Sequence, residues 1–243
     1  MAVVVTTGLA VATSVMGLAQ LGVLESLEQK AYDQMMRLRQ ETIPLAQDDR
    51  LLIVTVTEAD LDALAEFPLS DGTVAQALDK LQQHEPVAIG LDIFRAIPKP
   101  PGRDELLRSL QAPNVVVITQ LSNPAGAPGM PPPPDMDPAQ VSFNDVVGDP
   151  DGKVRRALLI AEQVNPTGNV TLFSFSLQLA TRYLATQDIG PTASPHNPDY
   201  MQLGSTTLFP LTVGAGGYAV EDTACYQSML DYRDRLTPSR EVT

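Results

Sequence analysis

No charged residue precedes Glu25, and Ala2 to Leu18 are apolar or small throughout. A run of about 20 such residues is the length a bilayer-crossing helix requires, and its Gly, Thr and Ser suit a membrane helix better than a soluble one. Residues 1–23 therefore predict a membrane-spanning helix, with a secretory signal as the competing reading. No basic segment precedes the run, which argues against a signal. Leu24, Leu27, Ala31, Met35 and Leu38 then recur at steps of three and four, which extends the helix as an amphipathic stalk to about Arg39. Lys30, Arg37 and Arg39 flank the apolar run. Under the positive-inside rule they would put this flank in the cytoplasm, but a long following domain overrides that rule.

Beyond the stalk the period changes. Arg50 to Thr57 (RLLIVTVT), Val87 to Phe94 (VAIGLDIF) and Asn114 to Thr119 (NVVVIT) are β-branched runs of strand length. Between them, Val74 to Gln83 and Asp104 to Leu110 have helical spacing, the former started by Asp71-Gly72 or Thr73. Near-continuous apolar strands alternating with helices predict an α/β fold with a largely parallel sheet covered on both faces. The stretch Ser122 to Pro138 carries seven prolines and two glycines and predicts a surface loop. Val141 to Val147 and Val154 to Gln163 flank Asp149-Pro150-Asp151-Gly152, which fits a type I turn and predicts a β-hairpin. Leu172 to Leu184 reads as a helix, Ile189 to Pro198 as a loop, Tyr200 to Leu211 as a second hairpin, and Gly214 to Gly217 as a glycine turn. The organisation expected is a membrane-proximal or transmembrane helix and stalk over residues 1–39 and an α/β domain over 40–243.

Composition narrows the function. With 16 Lys and Arg against 29 Asp and Glu the net charge is −13, and no basic stripe exists to neutralise phosphates, so nucleic acid is excluded as a partner. A single cysteine, Cys225, cannot form an internal disulfide, and neither zinc nor iron–sulfur ligand spacing occurs. No cofactor is expected.

Catalytic constellations are also lacking. The two histidines, His84 and His196, stand without a nucleophile partner, and no P-loop, GxGxxG, GxSxG or HExxH occurs. In an EF-hand register Asp149-Pro-Asp151-Gly152 would place Val147 and Leu158 at two ligand positions, so it reads as a turn. Gly214-Ala215-Gly216-Gly217 reads as a turn rather than a phosphate cradle, and Asn169-Val170-Thr171 as a chance match to a glycosylation acceptor. The best ligand crevice lies beyond the carboxyl ends of the strands, where open α/β sheets bind ligands. There Glu58 and Asp60 follow the first strand, Asp92 ends the second, and Arg95 would grip an anion bidentately. The bland reading is that Arg95 pairs with a carboxylate and fixes loops.

An ordered set of strings goes further. Leu27-Glu28 through Tyr32-Asp33 to Arg37-Leu38-Arg39, Leu52 to Asp60, Phe67-Pro68-Leu69-Ser70-Asp71 and Ile89-Gly90-Leu91-Asp92-Ile93-Phe94-Arg95 come first. Phe143-Asn144-Asp145, Asp149 to Gly152 with Arg155-Arg156, and Gly216-Gly217-Tyr218 before Tyr232-Arg233 follow. Together they resemble the CHASE domain of the second type, a cyclase- and histidine-kinase-associated sensory extracellular domain, most of all its cyanobacterial members. The resemblance implies a non-enzymatic, ligand-binding sensor of a bacterial transmembrane receptor, on the periplasmic side of the cell membrane, which would pass an unknown stimulus to a kinase or cyclase outside residues 1–243. A homodimer in which residues 24 to 39 form part of the contact is expected. The alternatives are a ligand-free dimerisation or protein-interaction module and, last, a hydrolase whose turnover would require Asp92.

Overall fold

A computed structural model describes residues 1–42, 48–122, 127–165, 168–215, 218, 225–232 and 240–242. They fall into two units, residues 1–54 with 210–242, and residues 55–209. The first unit opens with α1 (Ala2–Gln20) and α2 (Glu25–Thr42). The continuous helix expected across residues 1–39 is interrupted, and the cause is local. Gly22 is left-handed at φ +72°, its N–H bonds the Ala19 carbonyl at 3.0 Å, and the Val23 N–H reaches the Leu18 carbonyl at 3.1 Å. This pair of bonds is the Schellman ending that glycine permits. The 19 residues of α1 span about 28 Å, short of the about 30 Å hydrocarbon core. Among the described residues no helix is long and apolar enough to cross a membrane, so the spanning assignment of residues 1–23 is not supported.

The strand β1 (Leu52–Val54) pairs in parallel with a strand from the end of the chain, Leu52 opposite Arg240 and Val54 opposite Val242. All three β1 residues are exposed. This corrects the expected place of the first apolar run in a doubly covered sheet: its partner comes from the chain's far end rather than from the neighbouring βα units.

The second unit holds the expected α/β core. It begins with α3 (Glu58–Leu64) and α4 (Asp71–Gln82), the latter capped by the Ser70 hydroxyl on the Thr73 N–H. There follow β2 (Ile89–Leu91), α5 (Arg103–Leu110), β3 (Val115–Thr119) and β4 (Val141–Phe143). The order β2-β3-β4 is parallel throughout, with Ile89 opposite Val115 and Val117 opposite Val141. Every residue of β3 is buried, as a central strand covered on both faces must be. Val74, Ala75 and Leu78 of α4 and Leu106 and Leu110 of α5 join Ile89, Leu91, Val115 and Val117 in one apolar cluster.

The later strands depart from expectation in their pairing. Val141 to Phe143 joins the parallel sheet, so the predicted hairpin across Asp149 to Gly152 shrinks to one antiparallel bridge, Val147 to Arg156. The hairpin forms one element later, between β5 (Arg156–Asn165) and β6 (Gly168–Phe173). The helix read over Leu172 to Leu184 starts at Phe175, giving α6 (Phe175–Ala185), because the Ser174 hydroxyl caps the Leu177 N–H. The loop read over Ile189 to Pro198 contains β7 (Pro191–Ala193), and the expected hairpin beyond it is β8 (Met201–Leu203) with β9 (Thr206–Leu208). Back in the first unit, β10 (Tyr226–Met229) and β11 (Arg240–Val242) complete the strands.

Candidate functional site

The four predicted site residues do not converge. Glu58 and Asp60 follow β1, which is not a strand of the β2-β3-β4 sheet, so they do not flank its carboxyl edge. Asp60 is instead the third residue of a capping box: its carboxylate accepts the Thr57 hydroxyl at 2.5 Å and the Thr57 N–H at 2.7 Å. Those two bonds, the hydroxyl first, hold its carboxyl below the ordinary value. Glu58 is exposed on the first turn of α3.

Arg95 points inward. It is 2% exposed, its Nη2 donates to the Leu69 carbonyl at 3.0 Å, and its Nε lies 3.6 Å from Asp71 Oδ1. Both of these last atoms are buried without a hydrogen bond. The other oxygen of Asp71 accepts the Lys99 N–H at 3.0 Å and Arg103 Nη1 at 3.3 Å, while Arg103 Nη1 also reaches the Arg95 carbonyl at 2.9 Å. Asp71 thus faces two guanidinium groups and one backbone amide. Burial pulls the Arg95 guanidinium below its ordinary pKa and Asp71 opposes that pull.

The group fastens the N-terminus of α4 to the loop from Arg95 to Gly102. The Asp71 N–H donates to the Lys99 carbonyl at 2.6 Å and the Gly72 N–H to the Pro101 carbonyl at 2.8 Å. Gly102, left-handed at φ +96°, lies against the Gly72 backbone, and a Cβ there would come within 2.3 Å of the Gly72 Cα, so the position leaves no room for a side chain. Among the described residues Arg95 pairs with neither Glu58, Asp60 nor Asp92. Asp71 had been legible only as a helix start; an acidic residue one step inside an apolar helix face, with Arg95 and Arg103 on a Pro-rich loop, was the available signal for its pairing.

Asp92 alone stands where ligands bind in open α/β sheets, just past the carboxyl end of β2. It is exposed and accepts Asn144 Nδ2, just past β4, at 2.8 Å, so the two side chains meet across the end of the intervening β3. At the same edge Asp145 accepts the Leu121 N–H at 3.0 Å, and the Thr119 hydroxyl donates to the Met130 carbonyl at 2.6 Å. The first of these orders the Pro-rich loop's root and leaves the Asp92–Asn144 pair as an open carboxylate-and-amide edge. Asn144 was present in a quoted string but carried no assigned role.

Asp149 to Gly152 is a turn, with the Gly152 N–H on the Asp149 carbonyl at 2.8 Å. Its purpose is ionic. The fully buried Asp149 carboxylate takes Arg155 Nη1 at 2.6 Å on one oxygen and Arg156 Nη2 at 2.8 Å on the other. Asp151 takes Arg155 Nη2 at 2.6 Å; this hydrogen bond, foremost, lowers its pKa from 3.8 to about 2.

In the first unit the stalk residues find work. Tyr32 Oη donates to the Leu230 carbonyl at 2.7 Å, Arg39 Nη1 meets Asp231 Oδ1 at 2.7 Å, and Gln40 Nε2 donates to the Tyr232 carbonyl at 3.0 Å. Gly214 makes a turn at φ +85°, its N–H on the carbonyl of the fully buried Tyr218 at 2.9 Å. Gly216, Gly217 and Arg233 lie outside the described residues.

Among the described residues no three of His, Cys, Asp and Glu gather to hold a metal ion. No curated protein and no solved structure matches the chain. The model of the CHASE2 domain, a family of sensory extracellular domains of signalling receptors, matches residues 8–243, and the chain belongs to that family.

Proposed function

We propose that this chain is the extracytoplasmic sensory domain of a bacterial transmembrane receptor, binding a small molecule at the carboxyl edge of its parallel sheet and acting on a kinase or cyclase beyond residue 243. Membership of the CHASE2 family over residues 8–243 carries the reading. The Asp92–Asn144 pair supports its ligand part: an exposed carboxylate beside an amide offers acceptors and a donor at the edge where parallel sheets take ligands. Glu58, Asp60 and Arg95 leave that proposal, since Asp60 and Arg95 serve a cap and a buried ion pair. The chain meets the membrane through α1, which is uncharged and bears exposed apolar residues from Val3 to Leu18; a helix apolar all round suits lipid.

Contacts support a route for the signal. Three side chains of α2 grip residues 230 to 232, which couples α2 to the segment that follows β10. A ligand shifts such a device only by binding two arrangements with different affinity. The test is thermal unfolding of the chain against a panel of sugars, amino acids, nucleosides and organic anions. A ligand at 100 times its dissociation constant adds about 2.7 kcal/mol, and Asp92→Ala with Asn144→Ala must abolish the shift without lowering the unliganded midpoint. A shift that survives the double substitution removes this edge from the site. A flat panel, repeated with native mass spectrometry that finds no bound mass, favours the protein-interaction module. Carbonate-resistant membrane association that disappears on deleting residues 1–20 tests the anchor.

A further inference from the structure

We propose that the open edge of the parallel sheet takes a neutral sugar, held by three polar side chains that its strands present together. The inference rests on the ligand edge of the receptor reading and names what binds there. Each strand is followed at once by a hydrogen-bonding side chain: Asp92 after β2, Gln120 after β3 and Asn144 after β4. Register places them on one face. Leu91 stands opposite Val117 and Thr119 opposite Phe143. One step further sets Asp92 level with Ile118 and Gln120 level with Asn144, and residues two apart along a strand share a face. Asp92 and Asn144 meet at 2.8 Å across the end of β3, where Gln120 follows. The Gln120 backbone is fixed by bonds to Met130 at 2.9 and 3.2 Å. Its side chain is exposed, and its amide makes no bond among the described residues.

The same face carries an aromatic wall. Gly90, two residues before Asp92, lies against the half-buried Phe175 ring of α6. That helix begins at this edge, since its cap Ser174 bridges Phe143. Ligand sites combine such a ring with a few placed polar groups. Charge then selects the class. Asp92 only accepts hydrogen bonds, while each carboxamide both accepts and donates. The one basic residue within six positions of any of the three, Arg95, is 2% exposed and turned towards Asp71. These strand ends therefore meet an anion, or the carboxylate of an amino acid, with a carboxylate of their own and no cation. A primary amine satisfies Asp92 but leaves the carboxamide N–H groups without an acceptor. A hydroxyl does both: it donates to Asp92 and accepts from Gln120 or Asn144. Neighbouring hydroxyls of a sugar ring use all three side chains, and the C–H face of the ring has Phe175 to pack on.

The test is titration calorimetry with native mass spectrometry of the 243-residue chain in mild detergent. The probes are glucose, galactose, ribose and myo-inositol at millimolar concentration, beside the charged counterparts glucuronate, glucosamine and ribose 5-phosphate. At least one neutral compound is expected to bind, and its anionic counterpart about tenfold more weakly, through repulsion by Asp92. Gln120→Ala, at an exposed position, raises the dissociation constant about tenfold and leaves the unfolding midpoint unchanged. Asp92→Asn keeps the side chain's shape and narrows the gap between the neutral compound and its anionic counterpart about tenfold, a ratio that a purely structural Asp92 would not move. An anion or glucosamine bound more tightly than its neutral partner overturns the class; the edge itself stands if Asp92→Ala with Asn144→Ala abolishes that binding. Sugar binding that survives both Gln120→Ala and the double substitution overturns the site. No bound mass with any neutral compound overturns the proposal, and the amino acids, nucleosides and organic anions of the wider panel then decide separately whether the edge binds a ligand at all.

Discussion

Replacing Asp71 by Ala removes the carboxylate that faces Arg95 and Arg103 while leaving both guanidinium groups in place. Arg95 then keeps one hydrogen bond, to the Leu69 carbonyl, in a position 2% exposed, and the Lys99 N–H loses its acceptor. Removing one partner of a buried ion pair typically costs about 3–5 kcal/mol, because an uncompensated charge stays behind. With a guanidinium chloride slope of about 4 kcal/mol per molar, the unfolding midpoint falls by about 1 M. The contact is imperfect, Asp71 Oδ1 and Arg95 Nε standing 3.6 Å apart and unbonded. Removing both charges together therefore separates the account from simple loss of packing. Asp71→Leu with Arg95→Met is expected to recover most of the loss, as apolar replacements of buried pairs commonly do. The assay is denaturation followed by circular dichroism, with slopes compared to confirm the same transition. A cost below 1 kcal/mol for Asp71→Ala, or a double variant no better than the sum of the singles, refutes the assignment of Arg95 to the core.

Gly90→Ala is expected to destabilise the second unit by about 1–3 kcal/mol as overpacking, since its Cβ would lie 2.8 Å from Leu179 Cδ1 and against the Phe175 ring of α6; an unchanged unfolding midpoint counts against that close approach of α6 to β2. Asp151 titrates near pH 2 in the folded chain instead of 3.8, so its contribution to stability is complete above about pH 4 and is lost as pH falls through 2. Carboxyl carbon shifts followed by NMR check the midpoint, and Asp151→Asn flattens the stability profile between pH 4 and 2; a midpoint at 3.8 removes the Arg155 contact.

The sequence shows its elements where local chemistry is decisive and misleads where partners are distant. The β3 run of three valines and an isoleucine had to be a central strand, because an edge position would have exposed residues that the fold buries completely. Leu52-Ile53-Val54 carries the same signal and is exposed, since its partner begins 188 residues later at Arg240; nothing within the run itself records that choice. The site shows the same division. The position of Asp92 just past a strand end was legible, because sequence encodes that locally. Asp60 serves a cap, since a carboxylate three residues after a threonine is equally a capping-box residue; for Arg95 the reading that it pairs with a carboxylate and fixes loops is the one that holds, and only its partner, Asp71, 24 residues earlier, was not legible.

The stalk makes this argument most fully. Its spacing of Leu24, Leu27, Ala31, Met35 and Leu38 was legible as an apolar face, yet periodicity states only that a face exists and never which side the fold will cover. Here the fold covers the polar side, through a tyrosine, an arginine and a glutamine whose partners lie about 190 residues away and whose pairing no local rule could reveal. Leu27, Met35 and Leu38 therefore stay exposed although their spacing is the one that usually marks a buried face, because burial follows the partners a face finds and not the spacing alone.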